Sequence, residues 1–101
     1  MVQIKWLQSA KNDLREIYDY ISKDSKRYAQ LQVEKIRTRT EILKNQIEIG
    51  KVVVELENEN IRELIEGNYR IIYRITSKHE IHILMIQHGA RDLSRRIEFG
   101  V

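Results

Sequence analysis

Cysteine and proline are both missing from this chain of 101 residues, which holds only four glycines, one tryptophan and one phenylalanine. Without cysteine there is no disulfide framework, no thiolate nucleophile and no thiolate zinc site, and a reducing cytoplasm is the simplest home. No apolar run approaches the roughly 20 residues of a membrane-spanning helix. The opening Met1-Val2-Gln3-Ile4-Lys5-Trp6 lacks the basic-then-apolar pattern of a signal peptide and reads as structure. Internal repeats and low-complexity segments are also lacking. With 42% hydrophobic and 33% charged residues, the balance is that of a soluble globular domain, and the length fits one domain over residues 1–101. A net charge of +3 and a pI near 9.3 permit a nucleic-acid or acidic-protein partner without demanding one. Acidic residues crowd the middle (Glu55, Glu57, Glu59, Glu63, Glu66) and basic ones the C-terminus (Arg91, Arg95, Arg96), so the two groups can neutralise one another.

The periodicities predict an α+β fold in the order β, α, α, β, β, β, with mostly antiparallel strands. Gln3 to Leu7 is a short strand whose place in the sheet the sequence does not fix. Ser9 is the expected N-cap of a helix with an apolar stripe at Ala10, Leu14, Ile17, Tyr18 and Ile21, and Asp13 and Glu16 suit the positive end of its dipole. After the polar break Ser22 to Lys26, a second helical pattern runs Ala29, Val33, Ile36, Thr40, Leu43, Ile47, giving an antiparallel helical hairpin that stops before Gly50. Val52 to Leu56, Ile61 to Glu66, Tyr69 to Thr76 and Ile81 to His88 are the remaining strand candidates. Gly67-Asn68 is the tight turn of a hairpin, and it pairs Glu66 with Tyr69 and Ile65 with Arg70.

Period-two alternation then sorts the faces. Leu64, Ile71, Tyr73, Ile75, Leu84 and Ile86 form the face expected under the helices. Ile61, Glu63, Ile65, Arg70, Ile72, Arg74, Ile83, Met85 and Gln87 form the other, a mixed surface suited to binding another chain. Guanidinium groups on otherwise apolar strands are expensive to leave unpaired, so Arg70, Arg74 and Arg91 are the functional lead. The bland reading is that Arg70 and Arg74 pair with Glu63 across the hairpin, and that Arg91, Arg95 and Arg96 are a solvated tail. Tyr18, Tyr20 and Tyr28 are expected to pack within the helical hairpin. His79, His82 and His88 have no metal-ligand spacing, and neither a phosphate loop nor an activated serine is present, so no metal or cofactor is expected.

The early helix DLREIYDYI (Asp13 to Ile21), the glycine after the second helix (Gly50), the REL segment (Arg62 to Leu64), the YRIIY strand (Tyr69 to Tyr73) and the ending HGARDL together resemble the RelE/ParE superfamily of toxins from type II toxin–antitoxin modules. The position often held by proline before that glycine is Ile47 here. The resemblance implies one of two activities: RelE-like members cut messenger RNA on the ribosome, and ParE-like members bind and poison DNA gyrase. Fold alone does not choose. The nuclease chemistry is a metal-free attack by a ribose 2′-hydroxyl, which needs a base, a proton donor and cations around the phosphorane. Arg70 and Arg91 match two of its arginines, and His88 is the candidate acid or base. Where lysines stand in RelE-like enzymes this chain has Ile61 and Glu63, and Ile97 lies near the place of their C-terminal tyrosine. These departures favour the ParE-like branch, a non-enzymatic gyrase inhibitor of the plasmid-stabilisation type, with Arg70, Arg74, Arg91 and Arg95 as target-binding residues. The implied partners are a cognate antitoxin, in a hetero-oligomer, and gyrase, or ribosome and message in the nuclease case. A degenerate toxin that only binds antitoxin is the remaining alternative.

Overall fold

A computed structural model describes residues 1–89, so Arg91, Arg95, Arg96 and Ile97 lie outside the described residues. Its elements are β1 (Gln3–Trp6), α1 (Gln8–Ser22), α2 (Lys26–Thr40), a 3₁₀ turn (Glu41–Lys44), β2 (Lys51–Val52), β3 (Ile61–Glu66), β4 (Tyr69–Ser77) and β5 (Glu80–His88). The sheet order is β1-β5-β4-β3-β2. Only β1 runs parallel to its neighbour, pairing with β5, while β2, β3, β4 and β5 follow one another antiparallel. The parallel edge follows from the helical hairpin, which carries the chain back across one face between the first strand and the rest.

The hairpin turn has the expected register, Glu66 opposite Tyr69 and Ile65 opposite Arg70. Gly67 carries it with φ +59°, the positive value required at the first central position of a type II′ turn. The second helix ends sooner than its apolar pattern suggests, at Thr40. The 3₁₀ turn then continues the stripe and buries Leu43. Ser25 caps α2 by accepting from the Tyr28 N–H.

Beneath the helices, Ala10, Leu14, Ile36 and Leu43 pack on Leu64, Ile71, Tyr73, Ile81, Ile83 and Ile86. On the far face a smaller cluster joins Val53, Ile61, Ile72, Leu84 and Met85, with Leu7 and Leu56 at its margin. These lists correct the face assignment of two residues. The register jumps between Ile72↔Met85 and Tyr73↔Ile83, leaving Leu84 as an extra residue in a β-bulge. One inserted residue reverses the alternation, so Ile83 turns toward the helices and Leu84 away from them. Two side chains of α1 complete the hydrogen bonding here, past the end of β1. The Ser9 hydroxyl donates to the Leu84 carbonyl, and the Ile86 N–H donates to Asp13 Oδ2 at 2.8 Å. Ser9 is therefore not a helix cap: Leu7 holds the cap position, without a side-chain bond.

The segment expected as a strand from Val52 to Leu56 pairs only through Lys51 and Val52. Beyond them Val53 turns inward to the far cluster, and the Leu56 N–H closes a turn on the Val53 carbonyl. Tyr73 anchors the loop ahead of β2, donating its hydroxyl to the Ile47 carbonyl at 2.8 Å and accepting from the Gly50 N–H at 3.0 Å. A Cβ at position 50 would stand 2.6 Å from that hydroxyl and 2.7 Å from the Glu63 carbonyl, so the close approach requires glycine.

Candidate functional site

Arg70 leaves the start of β4, just after the hairpin turn, on the far face, the side opposite the helices, and it is buried. Its Nε donates to Glu63 Oε2 at 2.6 Å, diagonally across the hairpin, as period-two geometry allows. Its two terminal nitrogens reach the Glu55 carboxylate at 2.8 and 2.9 Å, a two-pronged pairing. Hydrogen bonding to Glu55, opposed by burial and reinforced by Glu63, raises the arginine's hold on its proton above the ordinary value. Of the two readings open for this position, the pairing with Glu63 is the one the structure shows, and the reading of Arg70 as a target-binding or catalytic cation is corrected: two carboxylates enclose it. Glu63 was foreseeable from the strand register. Glu55 was not, since it arrives on an irregular loop.

Arg74 stands one row pair further along the same face, opposite Ile61 on one side and His82 on the other. It is half-buried, and among the described residues it has no hydrogen-bond or ion-pair partner; Glu63, the expected partner, is occupied by Arg70. Lys5 of β1 continues the row, since Lys5 pairs with His82. The alternation along β1 and β5 puts all three side chains on the far face. Glu80 joins two of them, with Lys5 Nζ at 3.1 Å and His82 Nε2 at 3.0 Å. Hydrogen bonding to Lys5, and then to His82, lowers the proton affinity of the Glu80 carboxyl. Sequence reasoning missed Lys5 and His82 because their neighbourhood depends on the parallel β1–β5 pairing.

His88 ends β5 opposite Tyr69, and the two rings meet edge to face at 5.9 Å. Tyr69 packs toward the helix-side core, so His88 and Arg70 leave the sheet on opposite sides. The described members of the would-be nuclease set are thus not brought together. The remaining member, Arg91, and the tail cation Arg95 fall outside the described residues. Among the described residues no three histidine, aspartate or glutamate side chains gather as a metal site would require.

A second feature lies on the helical layer. Leu14, Tyr18 and Val33 floor a groove of about 380 Å³ between α1 and α2, and Lys11, Arg15 and Arg37 rim it. None of these cations forms an ion pair among the described residues. Tyr18 is half-buried there, but Tyr20 and Tyr28 are 74% and 68% exposed, which corrects the expectation that all three tyrosines pack inside the hairpin. No described helix is long and apolar enough to cross a membrane.

A helical pair laid across a sheet that is parallel at one edge and antiparallel elsewhere, with arginines on the β4 strand, defines a toxin of the RelE/ParE superfamily. More narrowly, the chain belongs to the ParE family: the description "ParE toxin of type II toxin–antitoxin system, parDE" matches residues 4–93. Among solved structures, a chromosomal ParDE toxin–antitoxin system from P. aeruginosa is similar at 27% identity, with a TM-score of 0.72 over 87% of this chain and 96% of that one. The RelBE2 toxin–antitoxin complex from Mycobacterium tuberculosis shares the fold at 21% identity and a TM-score of 0.60, covering 90% of this chain and 97% of that one. The YoeB–YefM complex from Staphylococcus aureus shares it at 16% identity and a TM-score of 0.52, covering 87% and 97%. No curated protein matches the chain.

Proposed function

We propose that this chain is the toxin of a cytoplasmic type II toxin–antitoxin module, that it poisons DNA gyrase without being an enzyme, and that a cognate antitoxin holds it inactive. The observation that carries the choice of target is the state of Arg70. A phosphorane collects negative charge, and a nuclease of this fold needs free cations around it. Here the guanidinium of the matching arginine is already taken up by Glu55 and Glu63 and is not free to face a phosphate. Ile61 and Glu63 stand where lysines would serve, and His88 leaves the other side of the sheet. What remains for a target are Arg74, half-buried on the described surface, and Arg91 and Arg95 beyond it in the sequence.

The antitoxin fits the helical groove. Its apolar floor and its cationic rim, unpaired among the described residues, suit an acidic amphipathic helix ordering on contact. The bound state is then a hetero-oligomer, the arrangement that the solved ParDE and RelBE2 systems carry in their names. Expression of the chain without its antitoxin tests the proposal. Filamentation with DNA-damage signalling is the expected outcome. Rapid translation arrest with cleaved messages would replace gyrase by the ribosome, and unimpaired growth would leave only an antitoxin-binding module. In the same cells Arg91→Ala is expected to reduce toxicity; full toxicity would remove Arg91 from the target surface.

A further inference from the structure

We infer that Lys5, His82 and Arg74 form a phosphate-contacting row through which the toxin touches the DNA duplex beside its protein target. Successive residues of three adjacent strands make the row, with Lys5 opposite His82 and His82 opposite Arg74. Neighbouring strands lie about 4.8 Å apart, so the three backbones span roughly 10 Å, and the long end members extend that reach. Such a span meets more than one phosphate of a duplex, which carries a charge per about 1.7 Å of its axis.

Charge selects an anion. Among the described residues Arg74 is unpaired and the carboxylate in contact with the row is Glu80, which bonds to Lys5 and His82 but not to Arg74. Lys78 and His79 lie exposed in the turn just beyond, beside the exposed Thr76 and Ser77. Glu57 and Glu59 sit past Ile61, on the loop before β3. Surface chemistry then separates nucleic acid from an acidic peptide. A peptide interface is anchored by apolar and aromatic side chains. None of the exposed large hydrophobic residues (Tyr20, Tyr28, Leu31, Ile49, Val52, Val54, Ile65, and Met1 at the terminus) belongs to the row or its neighbours on the far face. Cations with flanking hydroxyl groups are sufficient for phosphate.

The inference deepens the gyrase reading and rests on it for its biological setting, since DNA is what that enzyme holds. Binding of the purified chain to a short labelled duplex, followed by fluorescence anisotropy from low to physiological salt, tests it directly. Each lost phosphate contact lowers the slope of log affinity against log salt by about 0.9, which at 0.1 M salt corresponds to about an 8-fold weaker affinity. Arg74→Gln is expected to lose one such increment and Lys5→Gln with Arg74→Gln about two. Arg74→Lys should retain the slope, and circular dichroism confirms that each variant is folded. Unchanged slopes in the Gln variants would overturn the row. So would variants that bind DNA normally but lose capture by polyglutamate, since the surface would then read an acidic protein. Gyrase poisoning by a chain whose duplex affinity ignores these substitutions would leave the proposed function standing and refute the row. Salt-dependent, Arg74-dependent duplex binding without any effect on gyrase would do the reverse.

Discussion

Replacing Arg70 by methionine removes the cation from between Glu55 and Glu63 while keeping most of the stem that packs on the sheet. The side chains of Arg70, Glu55 and Glu63 retain only 9%, 18% and 14% of their exposure, so water screens little of the interaction. Breaking a buried ion pair by deleting one partner costs about 3–5 kcal/mol, because the abandoned charges stay desolvated. The carboxylates keep a little water, which puts Arg70→Met near the low end, about 3 kcal/mol. That is a large share of the roughly 5–15 kcal/mol that holds a domain of this size together. Urea unfolding followed by circular dichroism should show the midpoint falling by about 1–3 M, given slopes of about 1–3 kcal/mol per molar urea. Adding Glu55→Gln and Glu63→Gln should restore most of the loss, since both side chains then shed the charge that faced Arg70. If Arg70→Met unfolds within about 0.5 kcal/mol of the parent, or the two glutamine substitutions fail to rescue it, the enclosed ion pair is not what holds the loop before β3 to the sheet.

Gly50→Ala should destabilise by about 1–3 kcal/mol in the same assay, since its Cβ meets the Tyr73 hydroxyl and the Glu63 backbone. Asp13→Ala leaves the Ile86 N–H beside the bulge without its acceptor and should cost about 2 kcal/mol, with faster amide exchange at Ile86 as the specific sign. Burial raises the proton affinity of the Tyr73 hydroxyl above the ordinary value of 10.0. The protonated form is the folded form, so its contribution is complete below that value and is lost as pH rises through the raised one. Unfolding measured across the alkaline range should therefore show a decline in stability that Tyr73→Phe flattens.

Much of this architecture was readable because local rules decide it. Gly67-Asn68 between two apolar strands allows one turn and one register, and that register predicts the Arg70 to Glu63 diagonal. The helical hairpin follows from its two stripes. What escaped was set by tertiary context. The stretch Ile81 to Ile86 is apolar at all positions but one, so alternation cannot reveal that Leu84 is inserted. Ser9 and Asp13 look like residues chosen for a helix start, yet their partners are backbone groups of β5, more than seventy positions away. Glu55 and Lys5 reach the far face only through an irregular loop and a parallel edge pairing, neither of which leaves a periodic trace. Exposed tyrosines at positions 20 and 28 show the same limit: an aromatic beside an apolar stripe need not belong to it.

The claim on which the functional account turns is that this ParE-family chain acts on gyrase and not on messenger RNA. Incubating the purified chain with gyrase and supercoiled plasmid, and in parallel with programmed ribosomes, decides it. The account predicts accumulation of linear plasmid covalently attached to gyrase, with intact message on the ribosome. Cleaved message together with undisturbed plasmid would contradict it.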